Sequence, residues 1–259
     1  MLDITLVPLL RIERDLYDMP RDASRFRRYL EVIQGDTDDV EYPPLVALNP
    51  MGREHVAETL DTLLNLDAET VAAEAVEEAC RRLAGAEIEG LFKLGLVVVD
   101  DLKGGWTNRQ FVEMGFRFTP RASLKRGWIP GALWTTEVPT VETVRLEVFQ
   151  VVFRTVYVLQ HGEPRTLGAM MGQEGQTAAF SGVTGPAIDA EDLEYSRQVI
   201  APHLAADDLA TQLACLYGDA AAKAVGFVPL GLSPRAGYSV AVADALAAGV
   251  RPEQAVGAG

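Results

Sequence analysis

The sequence predicts a mainly α protein with a small β element, and three observations carry that prediction. At least six segments repeat their apolar residues near the 3.6-residue helical period, only one continuous apolar run has the length of a buried strand, and no glycine-rich dinucleotide-binding pattern follows it. The β element is assigned to 91–99 and 116–138, with an α+β arrangement as the alternative. No fixed-period repeat or composition shift forces a boundary, so 1–259 is expected to be a single domain, with the Gly/Pro stretch SGVTGP at 181–186 as the candidate internal linker.

The elements follow in chain order. A short apolar segment at 4–10 precedes a helix expected over 23–33, where Asp22 and Ser24 are the available caps. Asp36, Asp38 and Asp39 beside Gly35 read as a surface turn, because their spacing lacks the ligand pattern of a calcium loop. Asn49-Pro50 looks like a helix start, with Asn as cap and Pro where its missing N–H costs nothing. Val56, Leu60, Leu63 and Leu64 then form one apolar stripe, and Ala72, Val76, Ala79, Cys80 and Leu83 form a second after Asp67, with Gly85 as the stop. These two helices are expected to pair as a hairpin.

His55 and Glu58 lie three residues apart on the first of them, a spacing related to that of carboxylate–histidine metal sites. A second copy of the motif is absent, so His55 is expected to be a surface or interhelical hydrogen-bonding residue, and no metal is predicted.

The run 91–99 is bounded by Gly90 and by Asp100-Asp101, which sets its limits as a strand. One helical turn is expected at 110–114, and Trp128 and Trp134 are expected to anchor irregular or short β segments that pair with the strand. From Thr140 a long segment is apolar nearly all round, through Val144, Val148, Phe149, Val152 and Phe153. Such a helix is central, although its β-branched content keeps a pair of strands open as the alternative. HGEPR at 161–165 breaks it, and helices follow over 166–180, 189–200 with Asp189 as cap, 207–226 with Asp207 as cap, and 238–248.

A net charge of -14 opposes a nucleic-acid partner, since phosphate binding needs a basic surface. The basic stretches 21–28 and 117–126 read as solvated faces. Two cysteines in apolar helical patterns point to a reducing compartment rather than a disulfide framework. The first residues lack a secretory pattern and no apolar run is long enough to span a bilayer, so a cytoplasmic protein without a membrane partner is expected.

The motifs of P-loop nucleotide binding, zinc proteolysis and α/β-hydrolase catalysis are all missing. What remains is a concentration of polar chemistry where the strand ends: Asp100, Asp101, Lys103, Trp106, Thr107, Asn108 and Arg109 around Gly104-Gly105. Asp100 or Asp101 would serve as acid, base or cation ligand, Lys103 and Arg109 as anion binders, and Trp106 and Asn108 as positioning groups. His161, polarised by Glu163, is a second candidate base, with Arg165 as an anion clamp. The same residues also make ordinary turn chemistry, with Asp101 free to pair with Arg109.

The first expectation is therefore a small-molecule-binding protein or enzyme acting on a polar or anionic metabolite, its cofactor unspecified. The alternative is a noncatalytic helical protein that binds a protein partner or assembles as a homo-oligomer, with the aromatic residues of 116–134 as interface.

Overall fold

The computed structural model describes residues 2–35, 39–102 and 106–258. Lys103, the Gly104-Gly105 turn, Asp36 and Asp38 lie outside the described residues. Helix makes up 59% of the chain and strand 9%, so the protein is mainly α with a small β element. Its contacts divide it into two compact units, Met1–Ala84 with Ile88–Thr155 and Gly85–Glu87 with Val156–Gly259. Among the described residues no helix is long and apolar enough to cross a membrane.

The first unit is built on a parallel sheet of β1 (Leu2–Leu6), β2 (Gly90–Val99) and β3 (Trp128–Trp134), in that spatial order. Parallel neighbours need long crossovers. Between β1 and β2 these are α1 (Leu9–Tyr17), α2 (Ala23–Gln34), α3 (Glu54–Asn65) and α4 (Ala68–Arg82), and between β2 and β3 they are α5 (Arg109–Phe118) and α6 (Arg121–Lys125). From Leu94 to Val99 every position of β2 is buried, which explains why its apolar run is continuous instead of alternating. Val97 and Val99 share a core with Leu9 and Leu16 of α1, Tyr29 of α2, and Leu45 and Leu48. Gly95 admits α1 closely, since a Cβ there would stand 2.3 Å from Leu9 Cδ1.

At two points where no strand pairs with this sheet, a glutamate carboxyl receives the backbone N–H instead. β1 stops at Leu6 opposite Leu94, so β2 continues without a strand on that side. There the Val98 N–H donates to the Glu13 carboxyl at 3.0 and 3.3 Å, with Glu13 fully buried. On the outer side of β3 the Ala132 N–H donates to Glu147 Oε1 at 2.9 Å. Pro130 has the same parity as Ala132, so its missing N–H falls on the edge that no strand pairs. Burial pushes both carboxyls above the ordinary glutamate range, outweighing the N–H donors that favour their ionised forms.

α7 (Val141–His161) is a single helix and not a pair of strands, its residues to Thr155 belonging to the first unit and those from Val156 to the second. The second unit is helical, with α8 (Leu167–Ser181), α9 (Ala190–Ile200), α10 (Leu209–Tyr217), α11 (Asp219–Ala224), α12 (Ala236–Ala247) and α13 (Pro252–Ala255). Here α12 packs on α8, α9 and α10. Gly175 lets α8 approach the Ala241 carbonyl, which would stand 2.7 Å from a Cβ.

Several expectations are corrected. The segment at 4–10 is the end of β1 and the start of α1, whose apolar stripe includes the buried Glu13 and so does not read as a helical period. Asn49-Pro50 does not begin a helix: Asn49 Oδ1 and its carbonyl accept from Met51 N and Gly52 N in a turn, and α3 starts at Glu54. α5 extends well past one turn, with i,i+4 pairs from Glu113 to Arg109 and Arg117 along it. The helix expected over 207–226 begins after Asp208, not Asp207, and is cut at Gly218, whose φ of 82° is open to glycine and whose Cβ would strike the Ser233 carbonyl. Asp219 then receives the N–H groups of Leu230, Gly231 and Leu232 on one oxygen, which folds the following Pro/Gly loop back.

The raised Glu13 pKa has a pH consequence. Between its unfolded and folded values the native state holds the extra proton, so this group makes stability fall as pH rises through that window and has no effect below the unfolded value. Glu13→Gln keeps an oxygen for the Val98 N–H and removes the titration. Its urea midpoint relative to wild type should therefore climb as pH rises from about 4 to about 8. A difference that stays constant over that range would show that Glu13 does not take up a proton on folding.

Candidate functional site at the carboxyl end of the sheet

In a sheet of parallel strands, ligands are usually met beyond the carboxyl ends. Two adjacent carboxylates leave the end of β2 there and take different surroundings. Asp100 is 3% exposed. Its Oδ2 accepts from Asn49 Nδ2 at 2.8 Å, and its Oδ1 lies 3.0 Å from His55 Nε2 and 3.5 Å from Thr135 Oγ1. Asn49 comes from the turn before α3, His55 from the first turn of α3, and Thr135 from the residue after β3. The His55 side chain is 30% exposed, while its Nε2 stands against the nearly buried Asp100.

Asp101 makes a clasp instead. Its Oδ1 accepts from Thr135 Oγ1 and Thr136 N, both at 3.1 Å, and its Oδ2 accepts from Thr136 Oγ1 at 2.7 Å and Arg109 Nη1 at 3.1 Å. Arg109 also donates through Nε to Glu113 at 2.7 Å and through Nη2 to Glu137, and its guanidinium lies 4.6 Å from the centre of the Trp134 ring. Burial works against the charge, but Glu113 and Glu137 outweigh it and raise the Arg109 pKa. Every guanidinium nitrogen is thus engaged within the protein, which leaves Arg109 poorly placed to hold an external anion.

The remaining residues of the sequence cluster have separate tasks. Asn108 caps α5 by accepting from Phe111 N at 3.1 Å, Thr107 Oγ1 donates to the Asp100 carbonyl at 3.1 Å, and Trp106 is 53% exposed. His161 and Arg165 belong to the second unit. There His161 Nε2 meets the Ala255 carbonyl at 2.8 Å and its ring lies tilted against Tyr157 with the ring centres 4.5 Å apart, while the Arg165 carbonyl accepts from Gln212.

The structure therefore gathers Asp100, Asp101 and Arg109 at one edge and adds Asn49, His55, Thr135, Thr136, Glu113 and Glu137. His55 was visible as a histidine on a predicted helix, but its partner lies 45 residues away. Thr135 and Thr136 carry no signal until β3 is known to run parallel to β2. A separate groove of about 570 Å³ on the first unit, lined by Ile12, Leu16, Val32, Glu41 and Tyr42 among others, contains none of these groups. Among the described residues no group of three or more His, Cys, Asp or Glu side chains is arranged to hold a metal.

Chemically, the edge combines a partly exposed imidazole backed by a buried carboxylate with a half-exposed indole nearby in sequence. That is a proton-transfer arrangement more than an anion cradle. Compared with protein-family models, curated proteins and solved structures, the chain matches none of them.

The clasp itself is testable. Arg109→Ala leaves the Asp101 carboxylate without its cation and Glu113 with Arg117 alone, their side chains being 3% and 2% exposed, and should cost about 3–5 kcal/mol in denaturant unfolding. Arg109→Lys should recover only part of it, because an ammonium cannot reproduce the planar fork. A loss under about 1 kcal/mol for the alanine variant would mean that the clasp behaves as an exposed ion pair.

Proposed function

We propose that this protein binds a small polar metabolite at the carboxyl edge of its sheet and acts on it as an enzyme, with His55 as the general acid–base group and Asp100 as its orienting carboxylate. The observation that carries the reading is the 3.0 Å contact between a nearly buried Asp100 and a partly exposed His55 at that edge. A positioned proton carrier of this kind contributes roughly 10²- to 10⁴-fold to a rate. His55 takes a proton from a substrate hydroxyl, amine or bound water and returns it later in the cycle, while Asp100 stabilises the imidazolium formed in between. Trp106 offers a stacking wall. A polar substrate is favoured over an anionic one because the guanidinium of Arg109 is already shared among three carboxylates.

The surroundings fit a cytoplasmic protein with no nucleic-acid partner: both cysteines are free and the net charge is -14. A second reading, a noncatalytic interaction protein or homo-oligomer, draws support from the internal pairing of Asp101 and Arg109, which is what a purely structural turn would use.

A thermal-shift screen of polar metabolites against wild type should find ligands that raise the melting temperature, and products assayed on those hits should reveal turnover. His55→Ala should retain its fold and lose at least about 100-fold in turnover. Turnover unchanged in His55→Ala would remove His55 from the chemistry, and an absence of hits together with a stable dimer in sedimentation would favour the second reading.

A further inference from the structure

The atom that accepts the proton can be traced from a backbone amide that has no alternative role. Met51 N–H is a donor only, and it points at Asn49 Oδ1 at 3.1 Å. With its oxygen committed there, the Asn49 side chain must turn its NH₂ the other way, and Nδ2 stands 2.8 Å from Asp100 Oδ2. Tyr17 Oη donates to the Asn49 carbonyl, so the residue, 8% exposed, is held by main chain and side chain together. Asp100 Oδ2 is therefore an acceptor.

The same carboxylate presents Oδ1 to His55 Nε2. A carboxylate only accepts, so the hydrogen between the two groups lies on the ring nitrogen. Nε2 carries it, and in the neutral ring Nδ1 is left with its lone pair.

We infer that His55 Nδ1 is the proton-accepting atom of this edge, and that Asn49 is the positioning residue that makes it so by fixing the Asp100 carboxylate against Nε2–H. What the base acts on rests on the function proposed above, whereas the state of the imidazole does not. Replacing an orienting carboxylate in a histidine site is known to act through the wrong tautomer, and Asn49 stands one step further back in the same logic.

Ring-nitrogen NMR of the ¹⁵N-labelled full chain tests this without any substrate. His55→Gln identifies the His55 signals among the three histidines. At a pH where the ring is neutral, wild type should show His55 as the Nε2–H tautomer, with a preference of at least about tenfold and a slowly exchanging Hε2. Asn49→Leu, which keeps the volume and removes the donor, should speed Hε2 exchange by about tenfold or more. An Nδ1–H tautomer in wild type overturns the inference, as does an exchange rate unchanged in Asn49→Leu. Should that variant fail to fold, the wild-type tautomer still decides. Failure of the enzymatic reading would show instead as missing turnover with this tautomer in place.

Discussion

A backbone N–H in a dry interior has to find an acceptor, and the first unit depends on how that demand is met around β2. The strand is longer than either neighbour's pairing with it, since β1 covers it only to Leu94 and β3 only from Lys93. More strands would have been one solution. The chain instead inserts single carboxyl groups, Glu13 from α1 and Glu147 from α7, to receive the Val98 and Ala132 amides. Each replaces a missing strand at one point of an unpaired edge. The arrangement also fixes α1 and α7 against the sheet, because a helix that carries the acceptor cannot slide without stranding a donor.

That anchoring defines where β2 ends, and the end divides its two aspartates. Alternation along a strand directs neighbouring side chains to opposite sides. Asp101 enters a clasp of Thr135, Thr136 and Arg109, through which the start of α5 is tied to the residues after β3. Asp100 turns toward the residues before and within α3. One strand end therefore holds both crossovers in place, and the placement of His55 follows from it.

Much of this was legible in the sequence wherever one element determined its own pattern. The run 91–99 read as a strand because β2 is buried on both faces from Leu94 onward, and α7 read as a helix because its apolar residues keep a helical period, with burial nearly continuous over 148–158. The caps Asp22, Asp189 and Thr166 act locally and were visible or adjacent to what was expected. What stayed hidden depended on partners distant in the chain. α1 was concealed because Glu13 interrupts its apolar stripe, and that residue is inside only because Val98 needs it. Asn49-Pro50 fits a helix start and an Asx turn equally well, and only the position of Asp100 shows which one the fold uses. The Asp101–Arg109 pair was foreseeable from loop chemistry, whereas its extension to Glu113 and Glu137 needed the geometry of α5 and β3.

The contrast between the two aspartates bears on function as well as on folding. A buried carboxylate is held most securely by a permanent cation with several donors, and Asp101 has that in Arg109. Asp100, though its side chain is equally inaccessible, is met by an amide and an imidazole, the Thr135 hydroxyl donating to Asp101 at the shorter distance. Neither is the permanent cation that Asp101 has. The imidazole partner of Asp100 belongs to a side chain that is 30% exposed. Under the function proposed above, the Asp101 half of the edge holds the fold and the Asp100 half carries the proton.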